Sequence, residues 1–215
     1  FMVTAAFMDA KQIMSMPYTW IPSSEYFTTS TRTFFTNFQK AIVGNHGDNI
    51  FFRNLFNSLI VASVCSITTV FLASLCGFGL AKYKFKGQKA VFMAIMSTMM
   101  IPFEAIMIPL YLVATKMKII NTIPGLIIPF LVSAFGVFQM RQYLITFPTE
   151  YLDAARVDGM GEFGIYSRIV LPNSTPVIAT LAILSFRNQW DNLLWPLLCS
   201  QAEKMKTIPL YISKF

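Results

Sequence analysis

From residue 57 to residue 81 the chain runs for 25 positions without an Asp, Glu, Lys or Arg. A helix needs roughly 20 apolar residues to cross the hydrocarbon core of a bilayer, so this run is long enough to span one. Within it Ala73, Gly77 and Ala81 recur at every fourth position. That spacing puts the three on one helix face and lets a neighbouring helix approach closely. Three more apolar runs follow, at 90–114, 124–140 and 169–186, and the four together hold one charged residue, Glu104. The last run opens on Pro172-Asn173-Ser174-Thr175-Pro176. Such a sequence breaks regular helix and is tolerated in a membrane only where protein or a cavity surrounds it.

Composition agrees with this reading. Hydrophobic residues make up 55% of the chain and charged residues 13%, with a mean hydropathy of +0.56. Soluble domains carry roughly 25% charged residues. A disordered chain, a coiled coil and a disulfide-stapled secreted module are excluded, and a soluble enzyme is disfavoured. The net charge of +7 would suggest a nucleic-acid partner in a soluble protein. Here it belongs to loops facing lipid headgroups and cytoplasm, and no nucleic acid is expected. The loops at 82–89 and 141–168 hold 7 Lys and Arg in 36 residues; segments 1–56, 115–123 and 187–215 hold 10 in 94. The denser pair is cytoplasmic by the positive-inside rule.

Domain organisation follows. Residues 1–56 form an extracytoplasmic segment with a short amphipathic helix near 34–42 and interface aromatics at Tyr18, Trp20 and Tyr26. Residues 57–215 form a transmembrane domain with a cytoplasmic segment at 146–168. The apolar stretch at 1–8 lacks a basic n-region, so it reads as the tail of a truncated apolar span rather than a signal peptide. Cys65, Cys76 and Cys199 form no CxxC and read as small packing residues; Cys65 and Cys76 are about 16 Å apart along a helix, too far for a disulfide. His46 has no ligand partners nearby, so no metal site is expected.

The segment 150–172, EYLDAARVDGMGEFGIYSRIVLP, is different in kind. It predicts a helix of about ten residues, with Pro148 at its entrance, Glu150 and Asp153 early, Arg156 late, and Gly159 where a left-handed stop belongs. Such a helix can lie across a membrane face but not cross it. Ala154 and Ala155 give it a low-profile patch that another protein could approach. Composition alone would leave it an interfacial linker.

Its spacing resembles the cytoplasmic signature of the integral-membrane permease subunits of binding-protein-dependent ABC importers: Glu-Ala-Ala, three residues, Gly, nine residues, Ile-x-Leu-Pro. Asp153-Ala154-Ala155, Gly159, Ile169, Leu171 and Pro172 keep every interval, with Asp for the usual Glu. Asn57-Ser58-Leu59, Tyr83-Lys84-Phe85-Lys86-Gly87, Ile101-Pro102, Ile108-Pro109-Leu110-Tyr111, Trp190 and Pro196-Leu197 extend the resemblance, although Asp191 stands where Asn is common. The combination looks most like the carbohydrate branch, the smaller maltose-type permease subunit. The resemblance implies an all-α polytopic bundle of the type I importer permease kind, normally of six spans, here a fragment lacking the first and last.

It further implies that Glu150, Asp153, Ala154, Ala155, Asp158, Gly159, Ile169, Leu171 and Pro172 form the segment coupling the spans to a separate ATPase. The implied partners are a homologous second permease, two ATP-binding subunits, an extracytoplasmic solute-binding protein and membrane lipid, in a bacterial or archaeal inner membrane. The chain would form half of a sugar pathway. Importers of other solutes share the signature and stay open as an alternative, as does a channel or transporter without an ATPase.

Weaker signals are weighed against plainer ones. Gly159-x-Gly161-x-x-Gly164 matches a dinucleotide fingerprint, but helix precedes it and Ala179 stands where an acid is needed. No GxxxxGK[ST] occurs, and no paired carboxylates or Ser/His set suggests catalysis, so no cofactor is expected and the chain reads as a non-enzyme. Glu104 either contacts a sugar along the pathway or lies near an outer end against a partner. Asn173, with Ser174 and Thr175, either lines the pathway or caps broken turns. Trp190, Asn192 and Trp195 either touch the binding protein or anchor at the interface.

Overall fold

The charge-free run forms the middle of one unbroken helix, α1 (Ile50–Lys82), of 33 residues. At 1.5 Å per residue it is about 50 Å long, well over a hydrocarbon core of roughly 30 Å. The computed structural model describes Met8 and residues 50–213. The expected helix near 34–42 and the aromatics Tyr18, Trp20 and Tyr26 lie outside the described residues. The chain divides into two units, Phe1–Leu55 and Phe56–Phe215, and the packing below belongs to the second.

The other three apolar runs are not single helices. The expected 90–114 span is α2 (Gln88–Thr98) and α3 (Phe103–Lys116), which meet at 94°. Pro102 adopts extended backbone (φ −64°, ψ 141°) ahead of α3, and it has no N–H to continue α2. The expected 124–140 span is α4 (Ile123–Ile127), a 3₁₀ turn (Ile128–Phe130) and α5 (Ala134–Thr146), bent by 42°. Here Ser133 is extended and its hydroxyl accepts from the Gly136 N–H, starting a new helix rather than continuing the old one.

A short helix, α6 (Glu150–Val157), follows. The expected 169–186 span begins earlier, with α7 (Glu162–Ile165), a π-helical turn (Tyr166–Val170) and α8 (Leu171–Asn173), then turns through 81° into α9 (Thr175–Trp190). The final stretch folds as α10 (Leu194–Cys199), a 3₁₀ turn (Glu203–Met205) and α11 (Ile208–Ile212). Among the described residues there is no strand. Among the described residues, by length and composition, α1 alone can cross a membrane unbroken, and the number reaches four if each bent pair is one span.

The small-residue stripe on α1 meets α5. A Cβ on Gly77 would lie 2.7 Å from the Met140 Cβ and 3.0 Å from the Arg141 backbone N. One on Gly136 would lie 3.1 Å from the Ala73 Cβ. The two helices therefore touch nearly backbone to backbone, as the four-residue spacing predicts. Around this crossing Phe78, Val137, Met140, Leu144, Tyr166 and Leu181 form one buried cluster. A second cluster, with Val61, Cys65, Leu126, Ile127, Trp195 and Cys199, packs α10 and α4 against the first half of α1. Cys65 and Cys199 are buried, as packing residues should be, but Cys76 is exposed. Phe56, Ile67 and Phe71 also face outward from α1, an apolar surface suited to lipid.

The start of α1 is tied to the far end of the chain. The Asn57 amide donates to the carbonyls of Lys204 (3.0 Å) and Lys206 (3.1 Å), and the Ile208 N–H donates to the Ser58 hydroxyl at 2.8 Å.

Candidate functional site

The segment following α5 folds as its residues dictate. Thr149 precedes α6, Glu150 and Asp153 stand in the first turn and Arg156 in the last, the order that the helix dipole favours. The helix is about two residues shorter than expected, and Pro148 lies at its entrance, just before the Thr149 cap. Gly159 ends it at φ +81°. The Met160 N–H reaches the Ala155 carbonyl (2.9 Å) and the Gly159 N–H the Arg156 carbonyl (3.0 Å), the paired bonds of a Schellman stop. A Cβ at Gly159 would meet nothing within 4 Å, so the backbone angle alone requires glycine there.

The two faces of α6 have separate tasks. Leu152 (1% exposed) and Ala155 (5%) are buried against Met160 and the first cluster. Tyr151, Asp153, Ala154, Asp158 and especially Val157 (87%) are exposed. The expected Ala154–Ala155 patch is thus half right. Ala155 points into the chain's own core, because its 3.6-residue period places it with Leu152 and not with Ala154.

Arg156 organises the polar side. Its guanidinium contacts Asp153 Oδ1 at 2.8 Å and Glu162 Oε1 at 2.8 Å, and the Tyr83 hydroxyl donates to Glu162 Oε2. The Glu162 hydrogen bond, ahead of that from Asp153, holds the guanidinium more firmly protonated than usual. Partial burial, then the bond to Glu162 and its charge, push the Tyr83 phenol above its ordinary range, against the opposing pull of Arg156. One residue back, the Lys82 ammonium donates to the Phe147 carbonyl and sits 5.9 Å over the Phe147 ring. The end of α1 therefore holds the segment at both its entrance and its exit. Nothing in the sequence marks Lys82, Tyr83 or Glu162 as site residues. Tyr83 and Glu162 are 79 positions apart, and no local spacing signals their pairing.

Ile169 and Leu171 are half-buried against the first cluster, and Pro172 is exposed. They lie where the π-helical turn passes into α8, and the Tyr166 and Ser74 hydroxyls share a hydrogen bond of 2.7 Å there. Asn173 donates to the Ile169 carbonyl at 2.7 Å, and Thr175 to that of Pro172 at 2.6 Å. Both side chains hydrogen-bond within the broken turn.

Glu104 is exposed in the first turn of α3, where a negative charge suits the helix dipole. Trp190 is half-buried and stacks on Phe186 at 5.8 Å. Asn192 accepts from the Trp195 N–H at 3.4 Å. Trp195 corrects the expectation for it. It is fully buried, donates from Nε1 to the Gly125 carbonyl at 2.9 Å, and packs edge-on against Phe103 and Phe130. An apolar ring with one satisfied donor belongs in such a core and is not available to a partner protein. Among the described residues no group of three His, Cys, Asp or Glu is placed to hold a metal.

Comparison with known proteins places these features in a family. The profile of the binding-protein-dependent transport system inner membrane component matches residues 69–202. The arabinooligosaccharides transport system permease protein AraQ of Bacillus subtilis (strain 168) is 39% identical over 168 residues, which are 78% of this chain and 60% of AraQ. The sn-glycerol-3-phosphate transport system permease protein UgpE of Brucella abortus (strain 2308) is 31% identical over 204 residues, 95% of this chain and 71% of UgpE. A solved bacterial ABC transporter involved in the import of the acidic polysaccharide alginate has a chain of the same fold, with a TM-score of 0.78 at 20% identity over 100% of this chain and 71% of that one. This chain thus spans about 60% of the length of AraQ. The signature from Asp153 to Pro172 lies inside the matched region, and the chain belongs to the family of binding-protein-dependent transport system inner membrane components.

Proposed function

We infer that this chain is the membrane-spanning permease part of an ATP-driven importer, forming half of a pathway for a sugar or oligosaccharide. The observation carrying this reading is the construction of α6. It is a rigid eight-residue helix whose inner face is anchored and whose outer face presents Tyr151, Ala154 and Val157 among acids. Held at both ends by Lys82 and Tyr83, it moves with α1, so a force on its exposed face reaches the long helix directly. Coupling of this kind is a difference in contact free energy between two states of the partner. The transport roles of the relatives and the arabinooligosaccharides named for AraQ support the solute class.

In this reading each bent helix pair is one span, the loops at 82–89 and 141–168 are cytoplasmic, and residues 187–215 return to the outer side. A separate ATP-binding subunit docks on α6, a second permease completes the pathway, and an extracytoplasmic binding protein delivers the solute. The chain itself performs no covalent chemistry.

The test is Ala154→Asp and Val157→Asp in the assembled transporter. Both side chains are exposed, so the protein should reach the membrane in normal amounts while ATP hydrolysis loses its dependence on solute and uptake falls. Normal uptake in both variants would overturn the assignment.

A further inference from the structure

The charge-free run of α1 ends at Lys82, and the chain then turns back through Lys84-Phe85-Lys86-Gly87 into α2. The 25 residues of that run cover about 38 Å, more than a hydrocarbon core of roughly 30 Å, so the turn stands at the level of lipid headgroups. It is held in shape from within. The Gln88 amide donates to the Leu80 carbonyl at 2.7 Å, and Gly87 takes φ +89° ahead of α2. Lys82 and Tyr83 are committed to Phe147 and Glu162 on the α6 segment. Lys84, Phe85, Lys86 and Lys89 are left exposed.

These three lysines meet no counter-charge within the chain. Among the described residues no ion pair involves Lys84, Lys86 or Lys89. The sequence has no Asp or Glu between Asp48 and Glu104, and α2 brings no acid in its first turn. Apolar side chains are exposed among and just after the cations: Phe85 in the turn, then Val91 and Met93 on α2. An acidic protein surface or a nucleic acid in solution would answer the lysines and leave these side chains in water. A lipid monolayer answers both, with phosphates for the ammonium groups and acyl chains for the apolar ones.

We propose that residues 84–89 bind the phosphate headgroups of anionic phospholipid, with the Phe85 ring seated among the acyl chains. The proposal rests on the membrane reading above, in which this turn is cytoplasmic, and adds to it a preference for lipid charge. A zwitterionic headgroup carries its own ammonium beside the phosphate and gains little from three more. An anionic one gains about fivefold in local concentration for each lysine it meets.

The experiment uses the full-length permease in its complete complex, in bilayers of equal parts phosphatidylglycerol and phosphatidylcholine. Phe85→Trp places a fluorophore between the lysines, and the signal of the three native tryptophans is subtracted with the parent. One lipid at a time is brominated beside its headgroup, and quenching reports which lipid lies against residue 85. Phosphatidylglycerol should quench as though enriched about fivefold or more. Lys84→Gln, Lys86→Gln and Lys89→Gln, added together, should bring the two lipids to parity while quenching persists. Lys116→Gln with Lys118→Gln, exposed lysines of another loop, should leave the enrichment in place. Inorganic phosphate should reduce it no more than chloride at the same ionic strength. Quenching by neither lipid, as when a protein subunit covers the turn, overturns the proposal. So do equal quenching by both in the parent background, an equal loss in the Lys116 and Lys118 variant, and selective displacement by inorganic phosphate. Uptake by proteoliposomes of the same lipids is measured in parallel. ATP-driven uptake without enrichment refutes the lipid surface alone, and enrichment with uptake that ignores ATP refutes the transport reading alone.

Discussion

Ala154 and Ala155 are neighbours of identical chemistry, yet the structure assigns them opposite sensitivities. Ala155 is 5% exposed and packs with Leu152 and Met160 in the first cluster, and its carbonyl accepts the Met160 bond that closes the helix. Ala155→Asp places a carboxylate there with no cation inside the cluster to receive it. An unpaired buried charge costs at least about 3 kcal/mol, a shift of about two orders of magnitude in the folding equilibrium. Ala154 faces solvent, and a surface change there stays within about 0.5 kcal/mol. The assay is the thermal unfolding midpoint of each purified variant in detergent, together with the amount of protein in the membrane. Ala155→Asp should fall sharply in both, whereas Ala154→Asp should match the parent in both and fail only in coupling. Equal midpoints for Ala155→Asp and the parent would refute the inward placement of Ala155. Only the Ala154 variant therefore probes docking.

Other outcomes follow from single contacts. Gly77→Leu forces side-chain atoms into Met140 and the Arg141 backbone and should cost about 1–3 kcal/mol, read as a lower unfolding midpoint. Trp195→Phe keeps most of the packing but leaves the buried Gly125 carbonyl without its donor, a loss of about 1–3 kcal/mol in the same assay. Gly159→Pro cannot adopt φ +81°, so it should unwind the end of α6 and abolish solute-dependent ATP hydrolysis while the protein still inserts. The Tyr83 phenol is raised above its unfolded value near 10. Its contribution is therefore full below pH 10 and disappears as pH rises through the higher folded value. Ultraviolet titration of the parent against Tyr83→Phe should show a late-ionising tyrosine in the difference; its absence would contradict the partial burial of Tyr83 together with its contact to Glu162.

What could be read from the sequence was what repeats or ends locally. The charge-free run gave α1, the Ala73-Gly77-Ala81 stripe gave its close neighbour, and Gly159 gave the stop of α6. The helix breaks were only half visible. Pro102 and the Pro172–Pro176 cluster announce irregular backbone, but a bend of 94° or 81° depends on what the two arms pack against. Trp195 belongs to the core rather than to an interface: a tryptophan between apolar neighbours suits both places, and what decides is the Gly125 carbonyl, 70 positions away. The clamp of Lys82 and Tyr83 on the α6 segment was invisible for the same reason.

The tie between Asn57, Ser58 and the end of the chain has an evolutionary side. Both side chains grip main-chain groups: two carbonyls and one amide of residues 204–208. Every amino acid offers those carbonyls, and every one but proline offers that amide. The fastening therefore places its demand on Asn57 and Ser58, not on the side chains of the segment they hold. A side-chain change at the exposed Lys204 leaves the fastening in place, whereas changing Asn57 or Ser58 removes its bonds; Lys206, Thr207 and Ile208 are buried and answer to their own packing instead.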